Sequence, residues 1–306
     1  MNSPSKSFEI TTTQKWIHCR LCDYQTDAPH WKDLGKVRGN TERFKETMFR
    51  LWKCPECKTI VSLDPVDFQD IYLDYPLNQR KFDVFAQATM SNLLGRLKKA
   101  GLKKTDSILD YYGCGNGLFI TFLKNKGYRN VTGYDPFVPE YSERPQGSFD
   151  CVIANDVIEH SDDVRGIVED CADDVNPGGL LYIGTPDTWG VDMQHLDRQI
   201  MKLHQPFHRV LVTLPTLIKL GEEFGMTLVR SYRRSYLDTL WPFANYRFLD
   251  EFSKALGHNI DLSLSPDAGK VFFKKPSLLF WAFFGWFFPK AYEPAVILRK
   301  GGSFHE

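Results

Sequence analysis

"SILDYYGCGNGLFITFLKNKGYRNVTGYD", from Ser107 to Asp135, decides the fold. "SILDYY" reads as a buried strand that breaks into glycines at Gly113, Gly115 and Gly117. "NGLFITFLKNKG" then takes helical spacing and stops at Gly127, and "NVTGYD" is a second strand. The alternation continues outward. "FDCVIAND" is a strand, "SDDVRGIVEDCADDV" a helix capped by Ser161, and "GGLLYIGTPD" a strand. "LPTLIKLGEEFG" and "MTLVRSYRRS" repeat the pattern, and "EPAVILRK" supplies a last strand. Such an order predicts an α/β fold with a doubly wound, mostly parallel sheet and ligand sites at the carboxyl ends of its strands.

The glycines strip side chains from the point where a strand turns into a helix, so a ligand can lie against backbone amides there. A dinucleotide fingerprint wants its third glycine at the position of Leu118, but this chain has it at Gly117. That favours a cofactor without a pyrophosphate. Asp135, about 20 residues further on, ends the second strand where an acid accepts both hydroxyls of a ribose. The same feature serves nicotinamide and adenosylmethionine proteins, so Asp135 alone does not separate them.

Four of the seven cysteines come early, as "CRLC" (Cys19, Cys22) and "CPEC" (Cys54, Cys57). Two such pairs bend into knuckles that close a tetrahedral zinc shell, and a closed shell is structural. A redox dithiol is the competing reading, and His18 and His30 are rival ligands. Cys114, Cys151 and Cys171 read as small core residues.

With 306 residues and 38 basic against 38 acidic side chains, the chain can bury a full core but carries no net field for phosphate backbones, which counts against nucleic acid as a partner. Its first residues, "MNSPSKSFEITTTQK", lack the apolar stretch of a secretory signal, so a cytoplasmic location is expected. "DPVDFQDIYLDYP" reads as a connector into an amphipathic helix carrying Phe82, Val84, Phe85, Met90, Leu93, Leu94 and Leu97, which ends at the solvated "KKAGLKK". Between Tyr236 and Lys290 the alternation gives way to a Trp-, Phe- and Pro-rich insertion. Its apolar run, Leu278 to Phe288, is too short to span a bilayer and reads as a core helix, with contact to a membrane surface or a greasy substrate as the alternative.

"GCGNG", "VTGYDPF", "FDCVIANDVIEHSDD", "NPGGLLYIGTPD" and "FHRVLVTLPTLIKLGEEFGM" stand in an order that resembles class I S-adenosylmethionine-dependent methyltransferases. The resemblance covers roughly Ser107 to Ser235, and "AVILRK" fits the antiparallel last strand of that family. With the paired cysteines in front and "YLDYP" after them, the chain is also similar to zinc-knuckle methyltransferases of sugars and other small metabolites. It implies a Rossmann-like core at 105–235, preceded by a zinc module at 1–65 and a connector at 66–104. A helical cap at 236–290 and the final strand and tail at 291–306 follow.

The resemblance also implies roles. Gly113, Gly115 and Gly117 pass along the methionine part of S-adenosylmethionine, Asp135 holds the ribose, and Asn155 and Asp156 border the adenine. Three departures stand beside it. "DYYG" has one residue more than usual between strand acid and glycine, so Asp110 faces the cofactor only if a bulge absorbs it, and otherwise Tyr111 takes the slot. Pro136 to Phe149 is too short for the usual helix and strand. Where sugar C-methylating relatives carry tyrosine, glutamate and histidine, this chain reads "KLHQPFHRV".

Methyl transfer needs a nucleophile lined up behind an electrophilic carbon and a group to take its proton, work suited to histidine. His160, His204 and His208 are the candidates, each with a structural reading beside it: a helix-start contact for His160, a loop contact for the other two. A metal is not expected there, because no acid or cysteine partner is evident near the pair. The expected reaction is methyl transfer to a small molecule, at oxygen. Methylation of RNA or protein, a non-catalytic cofactor scaffold and a nicotinamide enzyme are the rival readings.

Overall fold

The computed structural model describes residues 16–73, 75–289 and 293–302, so the polar stretch read for location lies outside the described residues. The chain opens on a small antiparallel pair, β1 (Ile17–His18) and β2 (Gln25–Thr26), followed by β3 (Leu34–Arg38), β4 (Met48–Lys53) and β5 (Ile60–Ser62). A short helix α1 (Phe68–Tyr72) and the long α2 (Val84–Ala100) lead into the alternating core. There β6 (Ile108–Asp110), α3 (Leu118–Asn125), β7 (Val131–Gly133), β8 (Phe149–Asn155), α4 (Val164–Asp173) and β9 (Val175–Gly184) follow one another. The chain continues through α5 (Ile200–Leu203), β10 (Val210–Leu211), α6 (Leu214–Glu223) and β11 (Met226–Tyr232). Helices α7 (Tyr246–Ala255), α8 (Ile260–Leu264), α9 (Val271–Lys274) and α10 (Ser277–Phe284) precede the closing β12 (Ala295–Lys300).

Six strands form the main sheet in the order β11-β12-β9-β8-β6-β7. The pairs β7–β6, β6–β8 and β8–β9 are parallel, whereas β12 is antiparallel to both its neighbours. Side chains of a strand alternate faces, and the core divides accordingly. Leu109, Val152, Ala154, Leu181 and Ile183 pack toward α4 and α6, while Ile108, Cys151, Ile153, Leu180 and Tyr182 pack toward α2 and α3. Cys151 to Ala154 are fully buried, and each large apolar side chain so placed contributes about 1.5–3 kcal/mol. Between β7 and β8 there is only a loop with one tight turn at Pro139–Tyr141, as the short spacing of that segment anticipates.

Four details differ from the sequence reading. The cap of α4 is Asp163, whose carboxylate accepts from the Gly166 N–H; Ser161 instead accepts from the Asp163 N–H, because the helix starts two residues later than expected. In α2 only Leu93, Leu94 and Leu97 of the expected stripe are buried, with Val84 and Phe85 exposed at its start. The run around α10 is not a core helix: only Leu278, Ala282 and Gly285 are buried there, and Leu279, Phe280, Phe283, Phe284, Phe287 and Phe288 are 46–63% exposed. No helix among the described residues is long and apolar enough to cross a membrane.

The fourth concerns β10, which no periodicity announces. It joins the amino-terminal sheet, whose order is β10-β5-β4-β3, and so ties the segment after β9 to the cysteine-bearing region.

Candidate active site

At the end of β6, Tyr111 continues the ladder through its N–H to the Ile153 carbonyl at 2.8 Å. Its ring lies on the α4 face, where the hydroxyl donates to Asp170 at 3.0 Å. The extra residue of "DYYG" is absorbed at Tyr112, which takes a left-handed φ of 59°. Asp110 therefore keeps the opposite face from Tyr111. Burial, reinforced by the charge of Asp135, pushes the Asp110 carboxyl up to about 7.

Gly115 adopts a φ of 53°, and its N–H donates to Asp135 Oδ2 at 3.0 Å. Asp135 Oδ1 accepts the Phe137 N–H at 2.9 Å. Burial raises the Asp135 pKa, while these two N–H bonds oppose the shift. A Cβ on Gly115 would meet nothing within 4 Å, whereas one on Gly113 would stand 2.7 Å from Val157 Cγ2. Gly113 is thus fixed by packing, and Gly115 by backbone angle beside open space. Gly117, with a φ of 71°, caps α3. At the end of β8, Asp156 accepts from Asn155 Nδ2 at 3.0 Å and from the Tyr236 hydroxyl at 2.9 Å, and burial pushes it up to about 6.

This bare bend facing a carboxylate sits inside a stretch, residues 82–231, that matches the family described as "Methyltransferase domain". The chain carries a methyltransferase domain and is an enzyme that transfers methyl groups. Among solved structures, a 1,6-didemethyltoxoflavin-N1-methyltransferase from Burkholderia thailandensis is 13% identical, covers 83% of this chain and 96% of its own, and has a TM-score of 0.45. A phosphoethanolamine N-methyltransferase from Haemonchus contortus is 16% identical, with 78% and 61% covered and a TM-score of 0.47. A search of curated proteins finds no match.

Across the carboxyl ends of the strands, the methyltransferase lays a strap formed by α1 and the tight turn at Pro76–Gln79. Asn116 Nδ2 donates to the Asn78 and Arg80 carbonyls at 3.4 and 3.2 Å, and the Tyr72 ring stacks on Phe137 at 4.7 Å. The strap delivers two tyrosines to the histidines: Tyr72 lies 2.7 Å from His160 Nδ1, and Tyr75 lies 3.0 Å from His204 Nε2.

His204 and His208 sit on a loop after α5, with a cis Gln205–Pro206 bond. His208 Nδ1 is 2.7 Å from the Lys202 carbonyl, an obligate acceptor, so Nδ1 carries the proton and Nε2 offers a lone pair. His204 Nδ1 lies 2.7 Å from Asn40 Oδ1, which fixes the same tautomer and leaves Nε2 to accept from Tyr75. Burial holds His160 and His204 well below the usual imidazole range and brings His208 down to about 4, so all three are neutral near pH 7. The rings of His160 and His204 each meet His208 edge-on, at 4.8 and 4.9 Å.

The amino-terminal sheet is the wall behind this loop. Ser62 donates to Gln205 Oε1 at 3.0 Å. Arg209, fully buried, donates to Asp162 at 2.9 Å, Ser62 Oγ at 2.8 Å and the Asp64 carbonyl at 2.8 Å. Asp162 itself stays part-exposed, so the buried end of this pair is the guanidinium, which three acceptors satisfy.

The four early cysteines converge. Cys19 Sγ and Cys57 Sγ are 3.5 Å apart, Cys22 Sγ and Cys54 Sγ 3.6 Å. The two knuckles share one geometry. Cys19 N–H donates to the Tyr24 carbonyl and Cys54 N–H to the Thr59 carbonyl, both at 2.8 Å, and the residue after each pair, Asp23 and Lys58, is left-handed. Zn–S bonds of about 2.3 Å in a tetrahedron place sulfurs about 3.8 Å apart, so the cluster fits a zinc ion. His18 pairs with Asp23 and His30 caps a turn through Lys32 N–H, so neither rival ligand joins the cluster. Cys114, Cys151 and Cys171 are buried core thiols.

Sequence reasoning left Tyr72, Tyr75, Asn40, Glu159 and Tyr236 without roles. "YLDYP" is the one signal that pointed to two of them. The expectation that no acid stands near the histidines is corrected: the turn after β8 sets Glu159 beside His160 and His208.

Proposed function

We propose that this methyltransferase transfers its methyl group to a hydroxyl of a small-molecule acceptor. The observation that carries the reading is the Gly115 N–H bonded to Asp135 beside open space, with the tyrosine–histidine cluster across the strand ends. Asp135 holds the ribose. Gly113, Gly115 and Gly117 run along the methionine part, with Asp110 behind them, and Asn155 and Asp156 bound the same groove. The acceptor oxygen lies against His160 and His208. Its proton passes to Tyr75 as Tyr75 gives its own to His204 Nε2, with Asn40 holding the tautomer. S-adenosylmethionine bound there would supply the methyl group: its C–S bond would break as the C–O bond forms, leaving a neutral thioether.

The Cys19, Cys22, Cys54 and Cys57 cluster binds a structural zinc, and the module it holds (1–65) fixes the histidine loop. The connector 66–104 supplies the strap, the core spans 105–235, and the insertion 236–290 caps the site through Tyr236, before the last strand in 291–306. A cytoplasmic location accords with this chemistry. The exposed aromatic residues of α10 follow the exposed Lys274 and Lys275 closely in the chain, and apolar surface next to cations in sequence suits an anionic membrane surface. Cosedimentation with vesicles rich in anionic lipid is expected, and loss of it in Phe283→Glu. Equal sedimentation of the variant would refute this contact, as would dimerisation through the face.

Transfer of labelled methyl groups in cell extract tests the reaction. Wild type should label a small molecule, and Asp135→Ala should lower the rate at least about 100-fold. Label in RNA or protein would favour the macromolecular reading, and cofactor binding with no labelled product the scaffold.

A further inference from the structure

Glu159 is fully buried in the tight turn Ile158–His160. Its Oε2 accepts from Thr185 Oγ1 at 2.7 Å, but Oε1 has no hydrogen-bond partner. An unpartnered oxygen in a buried carboxylate carries a large desolvation cost unless a cation or donor meets it. Two imidazoles stand beside this carboxylate, those of His160 and His208. One ligating atom each from Glu159, His160 and His208 lies within 4.8 Å of the other two.

We propose that Glu159, His160 and His208 bind a divalent first-row metal ion of the zinc class. Two neutral imidazoles and one carboxylate are a ligand set for such an ion, with a fourth position left for water or substrate. His208 already has the outer partner a ligating histidine needs, since Nδ1–H is held by the Lys202 carbonyl, which leaves the lone pair on Nε2. Thr185 orients the carboxylate, and Tyr72 lies against the other ring. Metal–ligand bonds of about 2.1 Å set donors about 3.4 Å apart, so closing the observed triangle moves each donor by less than about 1 Å. The ion's role rests on the O-methylation reading: it would hold the acceptor oxygen and lower the pKa of its proton, leaving Tyr75 and His204 to take that proton. The binding itself does not depend on that reading.

Zinc counting on the full chain tests the site. After dialysis in zinc-buffered solution, wild type should retain two ions per chain. Glu159→Gln, which keeps an oxygen for Thr185, should retain one fewer, and so should His160→Gln. The difference between wild type and variant is the readout, so an error about the cysteine cluster changes both totals and leaves the difference intact. Zinc should also raise the melting temperature of wild type beyond that of Glu159→Gln, with equal melting of the two in chelator. Equal zinc content in wild type and both variants would overturn the site. Loss of the difference sinks the metal only, whereas a full zinc complement with no methyl transfer sinks the reaction reading only.

Discussion

The two halves of the site are built differently. The bend at Gly113–Gly117 is made by one continuous stretch of chain, and its partner Asp135 ends the next strand; backbone angles and N–H groups do the work. The tyrosine–histidine cluster draws on four separated segments: Asn40, Tyr72 with Tyr75, Glu159 with His160, and His204 with His208. Side chains held by long-range hydrogen bonds do the work there. A site of the first kind tolerates change elsewhere in the fold, while one of the second fails when any of its supports moves. Donor binding and acceptor chemistry should therefore be separable by mutation.

The largest expected effect uses the module behind the histidine loop. Cys54→Ser should lose the cysteine-bound zinc, lower the melting temperature and abolish transfer, yet leave S-adenosylmethionine affinity within a few-fold, because the glycine bend and Asp135 are built from β6, β7 and the chain between and just after them. A titration calorimeter beside a transfer assay checks this, and parallel loss of both functions would break the comparison. A smaller effect is expected from Tyr75→Phe, which removes the proton carrier but keeps the ring packed against Phe207 at 4.7 Å. The turnover number should fall about 100-fold with donor affinity unchanged. Unchanged turnover would remove Tyr75 and His204 from the proton path.

A third effect, on stability and not on turnover, lies on the donor side. Asp110 sits at about 7 in the folded chain against 3.8 for an ordinary aspartate. Between those values the folded state holds a proton that the unfolded state has released. Stability from this group is complete below about pH 4 and is lost as pH rises to 7, at about 1.4 kcal/mol per pH unit. Asp110→Asn should flatten that slope in denaturant melts taken across the range. An unaltered slope would place the Asp110 carboxylate in a wetter setting.

What the sequence made legible follows the same division. The βαβ order, the glycine bend, Asp135 and both cysteine knuckles were readable because each is local: period-two strands, φ-demanding glycines, paired cysteines with two residues between them. The histidines were named but their partners were not, since a two-residue strand such as β10 has no period to detect and it is β10 that carries the loop to the module. The extra tyrosine left two placements open for Asp110, and only the left-handed Tyr112 shows which one the chain takes. "SLLFWAFF" misled for another reason. A helix that is apolar on every side has no stripe, so its pattern cannot say which face is covered.

A crystal structure with S-adenosylhomocysteine tests the central claim most directly. The account predicts both ribose hydroxyls on the Asp135 carboxylate, the homocysteine chain along Gly113–Gly117, and the sulfur turned toward Tyr75 and His208. A nucleoside bound away from Asp135, or a sulfur turned away from the histidines, would contradict it.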